Sequence, residues 1–126
     1  KAEELGLEDA VFFLGTMSDC APYYQAMDAF VLPSLYEGLG MVAIEAQTSG
    51  LPCFLSDRVP KEATITDSTY TVSLEQTPDE WAKVILKKTS KNMREDTRLK
   101  IRVAGYDIET ESEKLMEIYE KILSYK

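Results

Sequence analysis

The apolar residues of this chain are gathered into short continuous runs that begin near positions 11, 29, 52 and 70. The first three are unbroken, and the fourth, Tyr70 to Ser73, reads as a strand from its Tyr, Val and Thr content. Unbroken apolar runs of this length belong to strands covered on both faces, as in a parallel sheet. Parallel neighbours need a long crossover, and the first three starts leave room for helices between them. The order read along the chain is strand (11–14), helix (18–27), strand (29–32), helix (41–49), strand (52–55), strand (70–73), then helices. The fold class expected is therefore α/β, a Rossmann-like three-layer arrangement of parallel strands with flanking helices.

Local signals set the helix ends. Residues 1–5 read as the end of a helix that Gly6 terminates, Ser18 caps the next with Pro22 near its first turn, and Gly50 ends the third. Thr77-Pro78-Asp79-Glu80 is a helix start with a capping box, and Trp81, Ile85 and Leu86 form that helix's apolar side. The helix breaks at 89–92, and a shorter one covers 94–104. Thr110-x-x-Glu113 reads as a second capping box. Leu115, Ile118, Tyr119 and Ile122 follow at three- and four-residue spacing, the stripe of a helix lying against a core. Trp81 is expected to pack a helix on the sheet, and Tyr23 and Tyr24 to lie half-buried at a helix end.

Composition removes several function classes. With 14 basic and 22 acidic residues the net charge is −8, a surface that repels nucleic acid and anionic lipid. No apolar run is long enough to span a bilayer. The absence of histidine removes the commonest general base and metal ligand and every Ser-His triad. Cys20 and Cys53 are too few for a disulfide framework, and Cys53 reads as a small core hydrophobe. A hydrophobic fraction of 44% supports one packed core.

The chemistry concentrates after the second run. In open α/β sheets, ligands sit beyond the carboxyl ends of the strands. There the sequence reads Pro33-Ser34-Leu35-Tyr36-Glu37-Gly38-Leu39-Gly40, followed by a helix. Gly38 and Gly40 let backbone approach a ligand closely. The free amides and dipole of the helix start suit a phosphate. Glu37 and Glu45 flank that turn, and carboxylates accept hydrogen bonds from sugar hydroxyls. The residues alone leave two readings open: a nucleotide-sugar site, or a plain helix entry with Glu37 an exposed acid.

The run from Pro33 to Ala46 resembles the signature of the GT-B, family 4 type of retaining glycosyltransferases: Glu, seven residues, Glu, with Gly-x-Gly after the first acid. The segments Tyr24-x-Ala26-x-Asp28-x-Phe30-Val31-Leu32-Pro33, Gly50-Leu51-Pro52-Cys53, residues 11–15, and Tyr106-Asp107-Ile108 with Tyr119 are also similar to that family. The turn Ser56-Asp57-x-Val59-Pro60-x-Glu62 is most similar to bacterial enzymes of capsular and exopolysaccharide synthesis. The resemblance implies that Glu37 is the catalytic-site acid, contacting donor-sugar hydroxyls near the reacting carbon. It implies that Gly38, Leu39 and Gly40 lie against the sugar and diphosphate, that the amides of Met41 and Val42 face phosphate oxygens, and that Glu45 holds the ribose. Residues 16–19 would border the base. No cofactor or metal is implied; the donor substrate is a nucleoside diphosphate sugar and the acceptor a glycan or lipid-linked hydroxyl.

Where the family often carries a Gly-Gly-x-x-Glu turn, this chain has Val59-Pro60-Lys61-Glu62. The family's donor domain also begins with further strands bearing an Arg and a Lys for the diphosphate. Residues 1–126 thus read as a partial C-terminal donor-binding domain, without the first strands and the acceptor domain. Such a fragment is expected to be inactive alone and prone to self-association. The parent enzyme is expected to be cytoplasmic, at the inner membrane face. Arg58 and Lys61 read as solvated charges. The alternative reading is a non-catalytic doubly wound regulatory domain resembling a response receiver, for which Asp19, Asp28 and Asp57 would have to cluster.

Overall fold

A computed structural model describes residues 1–89 and 94–125. Its framework is a parallel sheet of three strands, β1 (Phe30–Leu32), β2 (Cys53–Ser56) and β3 (Thr69–Val72), in the spatial order β1-β2-β3. Val31 pairs with Phe54, and Phe54 with Tyr70. All four residues of β2 are buried, as a central strand covered on both faces requires.

The helices form the outer layers. α1 (Ala21–Ala26) precedes β1, and α2 (Met41–Thr48) connects β1 to β2. Ala43, Ile44 and Ala46 of α2 meet Cys53 and Leu55 in one apolar cluster, which Tyr24, Leu51, Val59, Ala63 and Ile101 complete. On the other face Phe54, Val72 and Trp81 form a second cluster. Trp81 belongs to α3 (Pro78–Thr89), and its indole N–H donates to the Ser73 carbonyl at 3.0 Å. Each large side chain buried this way stabilises the fold by about 1.5–3 kcal/mol. α4 (Arg98–Val103) adds Ile101 to the first cluster, and α5 (Ile108–Ser124) ends the chain.

The capping box at Thr77 forms in both directions. The Thr77 amide donates to Glu80 Oε2 at 2.7 Å, and the Glu80 amide to Thr77 Oγ1 at 3.4 Å. Gly6 and Gly50 close their elements in the left-handed region. The Gly50 position is closed to any larger residue, because a Cβ there would collide with the backbone carbonyl of Glu95.

Five expectations need correction. Residues 11–14 form no strand; Phe12 and Phe13 are 76% and 87% exposed. A strand exists by pairing, and no described strand pairs with this run; the Val11 amide bonds back to Leu7. Ser18 does not cap α1, which starts three residues later; the Ala21 amide is taken by Asp19 Oδ1 at 2.9 Å. Thr110 does not start α5. Asp107 holds the N-cap position, and the Thr110 hydroxyl donates to Asp107 Oδ2. The stripe of Leu115, Ile118, Tyr119 and Ile122 forms on α5 but joins neither apolar cluster of the described residues: all four are about half exposed. The helix read over 94–104 is shorter, Arg98–Val103, and the break at 89–92 falls mostly outside the described residues.

Candidate functional site

β1 ends at Leu32, and residues 33–40 carry the chain from its carboxyl end to the start of α2. Two short bonds fix this loop. The Ser34 hydroxyl donates to Glu37 Oε1 at 2.6 Å, which orients the half-buried carboxylate. The Ser56 hydroxyl, at the end of β2, donates to the Ser34 carbonyl at 2.6 Å and accepts from the Arg58 amide at 3.3 Å. The loops following two adjacent strands are thereby tied together at the ligand side of the sheet.

Gly40 is the N-cap of α2, with φ +81°. That value favours glycine by backbone conformation alone, since a Cβ would meet Val59 Cγ1 at 3.4 Å and Ala63 Cβ at 3.8 Å, ordinary contact distances. The sharp entry sets the first-turn amides of Met41 and Val42 outside the helix's own ladder. Met41 and Val42 are 51% and 41% exposed, so the leading end of α2 opens to solvent. Leu39 turns inward against the first apolar cluster.

Glu45 lies one turn further along, on the exposed side of α2. Its Oε2 accepts from the Tyr24 hydroxyl at 3.1 Å. Glu45, Tyr24, Thr48, Ser18, Asp19 and Cys20 line a cleft of about 440 Å³ between α1 and α2. A cleft of this volume suits a nucleoside. Burial, and secondarily the Glu45 carboxylate, push the Tyr24 phenol up to about 12. The structure thus brings Glu45 together with residues 18–19 and places Gly40, Met41 and Val42 at the head of the same helix. Glu37 is on the loop ahead of it, and does not line the cleft.

Two residues that carry this geometry escaped the sequence reading of the site. Tyr24 read as a half-buried helix-end residue; it is buried and touches Glu45, a partner 21 positions away that no local pattern reveals. Gln47, fully buried in α2, donates to the Ala43 and Ala63 carbonyls (2.9 and 2.7 Å) and accepts from the Ile65 and Thr66 amides (2.9 and 3.0 Å). It holds the segment after β2 against α2. A lone amide between Ala46 and Thr48 was the signal available.

Arg58 and Lys61 are exposed, and Arg58 Nε lies 4.0 Å from Asp57 Oδ1. Asp57 accepts from the Leu74 amide, and the Ser73 hydroxyl beside it holds its carboxyl below the usual range. With Asp19 engaged at the start of α1, nothing favours a receiver-type acidic pocket. Among the described residues no group of three or more Cys, Asp or Glu is placed to hold a metal ion. No helix among them is long and apolar enough to cross a membrane.

Comparison with known proteins agrees with this architecture. The family model described as glycosyl transferases group 1 matches residues 1–107. EpsF of Bacillus subtilis (strain 168) is 34% identical over 122 residues, covering 94% of this chain and 32% of EpsF. The Vi polysaccharide biosynthesis protein VipC/TviE of Salmonella typhi is 36% identical over 87 residues, 60% of this chain and 14% of that protein. An Escherichia coli UDP-Gal:alpha-D-GlcNAc-diphosphoundecaprenol alpha-1,3-galactosyltransferase is 41% identical over 54 residues, 43% of this chain and 14% of that one. Among solved structures, sucrose-phosphate synthase from Thermosynechococcus elongatus shares the fold. Its TM-score is 0.78 at 24% identity, over 99% of this chain and 33% of that one. The chain spans about a third of the length of EpsF and a smaller share of the two other relatives. With the family model matched over most of its length, the chain belongs to the group 1 glycosyltransferases.

Proposed function

We propose that this chain forms the donor-binding part of a retaining glycosyltransferase of bacterial polysaccharide synthesis. The whole protein moves a sugar from a nucleoside diphosphate to a hydroxyl of a glycan or lipid-linked acceptor. The observation that carries the reading is the open leading end of α2, with Glu45 one turn along it in a nucleoside-sized cleft.

In this reading the diphosphate lies over the amides of Met41 and Val42. As the glycosidic bond breaks, negative charge grows on the leaving diphosphate, and fixed amides aimed at it stabilise the transition state more than the ground state. Gly38, Leu39 and Gly40 bring backbone against the sugar and phosphates. Glu37, oriented by Ser34, accepts hydrogen bonds from sugar hydroxyls near the reacting carbon. Glu45 accepts from the ribose, and residues 16–19 border the base. No metal or cofactor is assigned a role. The parent enzyme works in the cytoplasm at the inner membrane face, where a lipid-linked acceptor would be met.

The test is equilibrium binding of UDP- and GDP-sugars to the chain and to E45A. The wild-type chain is expected to bind one of the two series, and E45A to bind it about tenfold more weakly, the loss of a hydrogen bond to a charged group. Equal affinity in wild type and E45A would contradict the assignment of Glu45.

A further inference from the structure

The Glu45 carboxylate stands on the exposed side of α2, yet one of its oxygens is held by the Tyr24 hydroxyl at 3.1 Å. Tyr24 is itself fixed on several sides. It is buried, its ring meets Phe30 edge-on at 5.9 Å and 76°, and its amide donates to the Cys20 carbonyl at 3.1 Å. Its carbonyl accepts from Arg94 Nη2 at 3.0 Å. The same guanidinium reaches the carbonyls of Gln25, Met27 and Ser49, so one cation ties the end of α1 to the residue after α2. The phenol is therefore a rigid donor built into the wall of the cleft.

We propose that Tyr24 is a positioning residue for Glu45: it fixes Oε2 so that the carboxylate meets the ribose hydroxyls already oriented, with Oε1 as the acceptor. The inference rests on the nucleotide reading above. A free glutamate must give up the freedom of three side-chain torsions when it binds a hydroxyl, and a carboxylate immobilised beforehand does not. Two oxygens offer lone pairs enough for both tasks. Burial keeps the phenol protonated, hence a donor, throughout the neutral range.

The experiment compares wild type, Y24F and E45Q for binding of uridine and guanosine diphosphates, each as the ribose and the 2′,3′-dideoxyribose form. Phenylalanine keeps the ring and its contact with Phe30, and equal thermal midpoints check that packing survives. Wild type is expected to prefer the ribose form about tenfold. E45Q should lose most of that preference. Y24F should reduce it to about threefold while binding the dideoxy form as wild type does. A Y24F chain that keeps the full preference, or that loses both ligands equally, overturns the positioning role and leaves Glu45 as the ribose acceptor. A wild-type chain without ribose preference, or an E45Q chain that retains it, overturns the nucleotide reading and the inference with it. A ligand-free readout stands beside these: in E45Q the Tyr24 hydroxyl should titrate lower than in wild type, and unchanged titration contradicts the bond.

Discussion

Cys53 sits between α2 and the sheet with no exposed surface, and burial pushes its thiol up to about 12. Tyr24 is raised to about 12 as well, first by burial and then by Glu45. Both groups hold their protons more tightly folded than unfolded. The stability they contribute is full at neutral pH. It declines from about pH 9 for Cys53 and pH 10 for Tyr24, and is lost by about pH 12. Thermal midpoints measured across this range should be level to about pH 9 and then fall. Cys53→Ala should remove the earlier part of the decline and Y24F the later part. At the same scale the motif singled out Glu37, Gly40 and Glu45 as candidates, because acids at fixed spacing around glycines are a local pattern. The bond from Tyr24 to Glu45 was not legible: it depends on α1 lying across α2, a contact that no sequence spacing expresses.

At the scale of elements, α2 carries most of the candidate site, and Gln47 decides whether it is held. Its side chain satisfies two carbonyls and two amides inside the protein, with the Thr69 hydroxyl 2.8 Å from Oε1. Gln47→Leu keeps the volume but leaves the Ala63 carbonyl and the Ile65 and Thr66 amides without this partner. The expected cost is about 3 kcal/mol, measured by urea unfolding, since each buried unsatisfied group costs about 1–3 kcal/mol. A loss under about 1 kcal/mol would show that the segment after β2 is held by other contacts. The strands over 30–32 and 53–56 were readable from their apolar runs and that over 69–72 from its Tyr, Val and Thr content, and each finds a neighbour. The run over 11–14 has the same character and no partner among the described residues, so propensity alone did not make it a strand. The same holds for α5: its stripe formed, and its residues stay about half exposed, outside both apolar clusters of the described residues.

The molecule as a whole exposes 9632 Å², against about 6,800 Å² for a compact monomer of 14.2 kDa by the usual scaling. The exposed surface includes large apolar side chains, the α5 stripe with Phe12 and Phe13, and a groove of about 400 Å³ lined by Val31, Leu74, Trp81 and Ile85. Surfaces of this kind associate, while a net charge of −8 opposes it. Sedimentation should therefore show concentration-dependent self-association that strengthens with salt, as screening shortens the repulsion. Ile118→Lys should shift the equilibrium toward monomer. A salt-independent monomer at high concentration would contradict this. The fold and the family could be read at this scale because the motif and strand order cover nearly the whole chain, but unpaired surfaces could not, since exposure depends on what else is present to cover them.

The central claim, that the head of α2 and the cleft beside it hold a nucleotide sugar, is tested most directly by mapping backbone amide chemical shifts while UDP- and GDP-sugars are titrated into the chain. The account predicts shifts at Gly38, Gly40, Met41, Val42 and Glu45, accompanied by residues 18–24 across the cleft. Silence at these amides with both sugar series, or shifts confined to the groove around Val31 and Trp81, would contradict it.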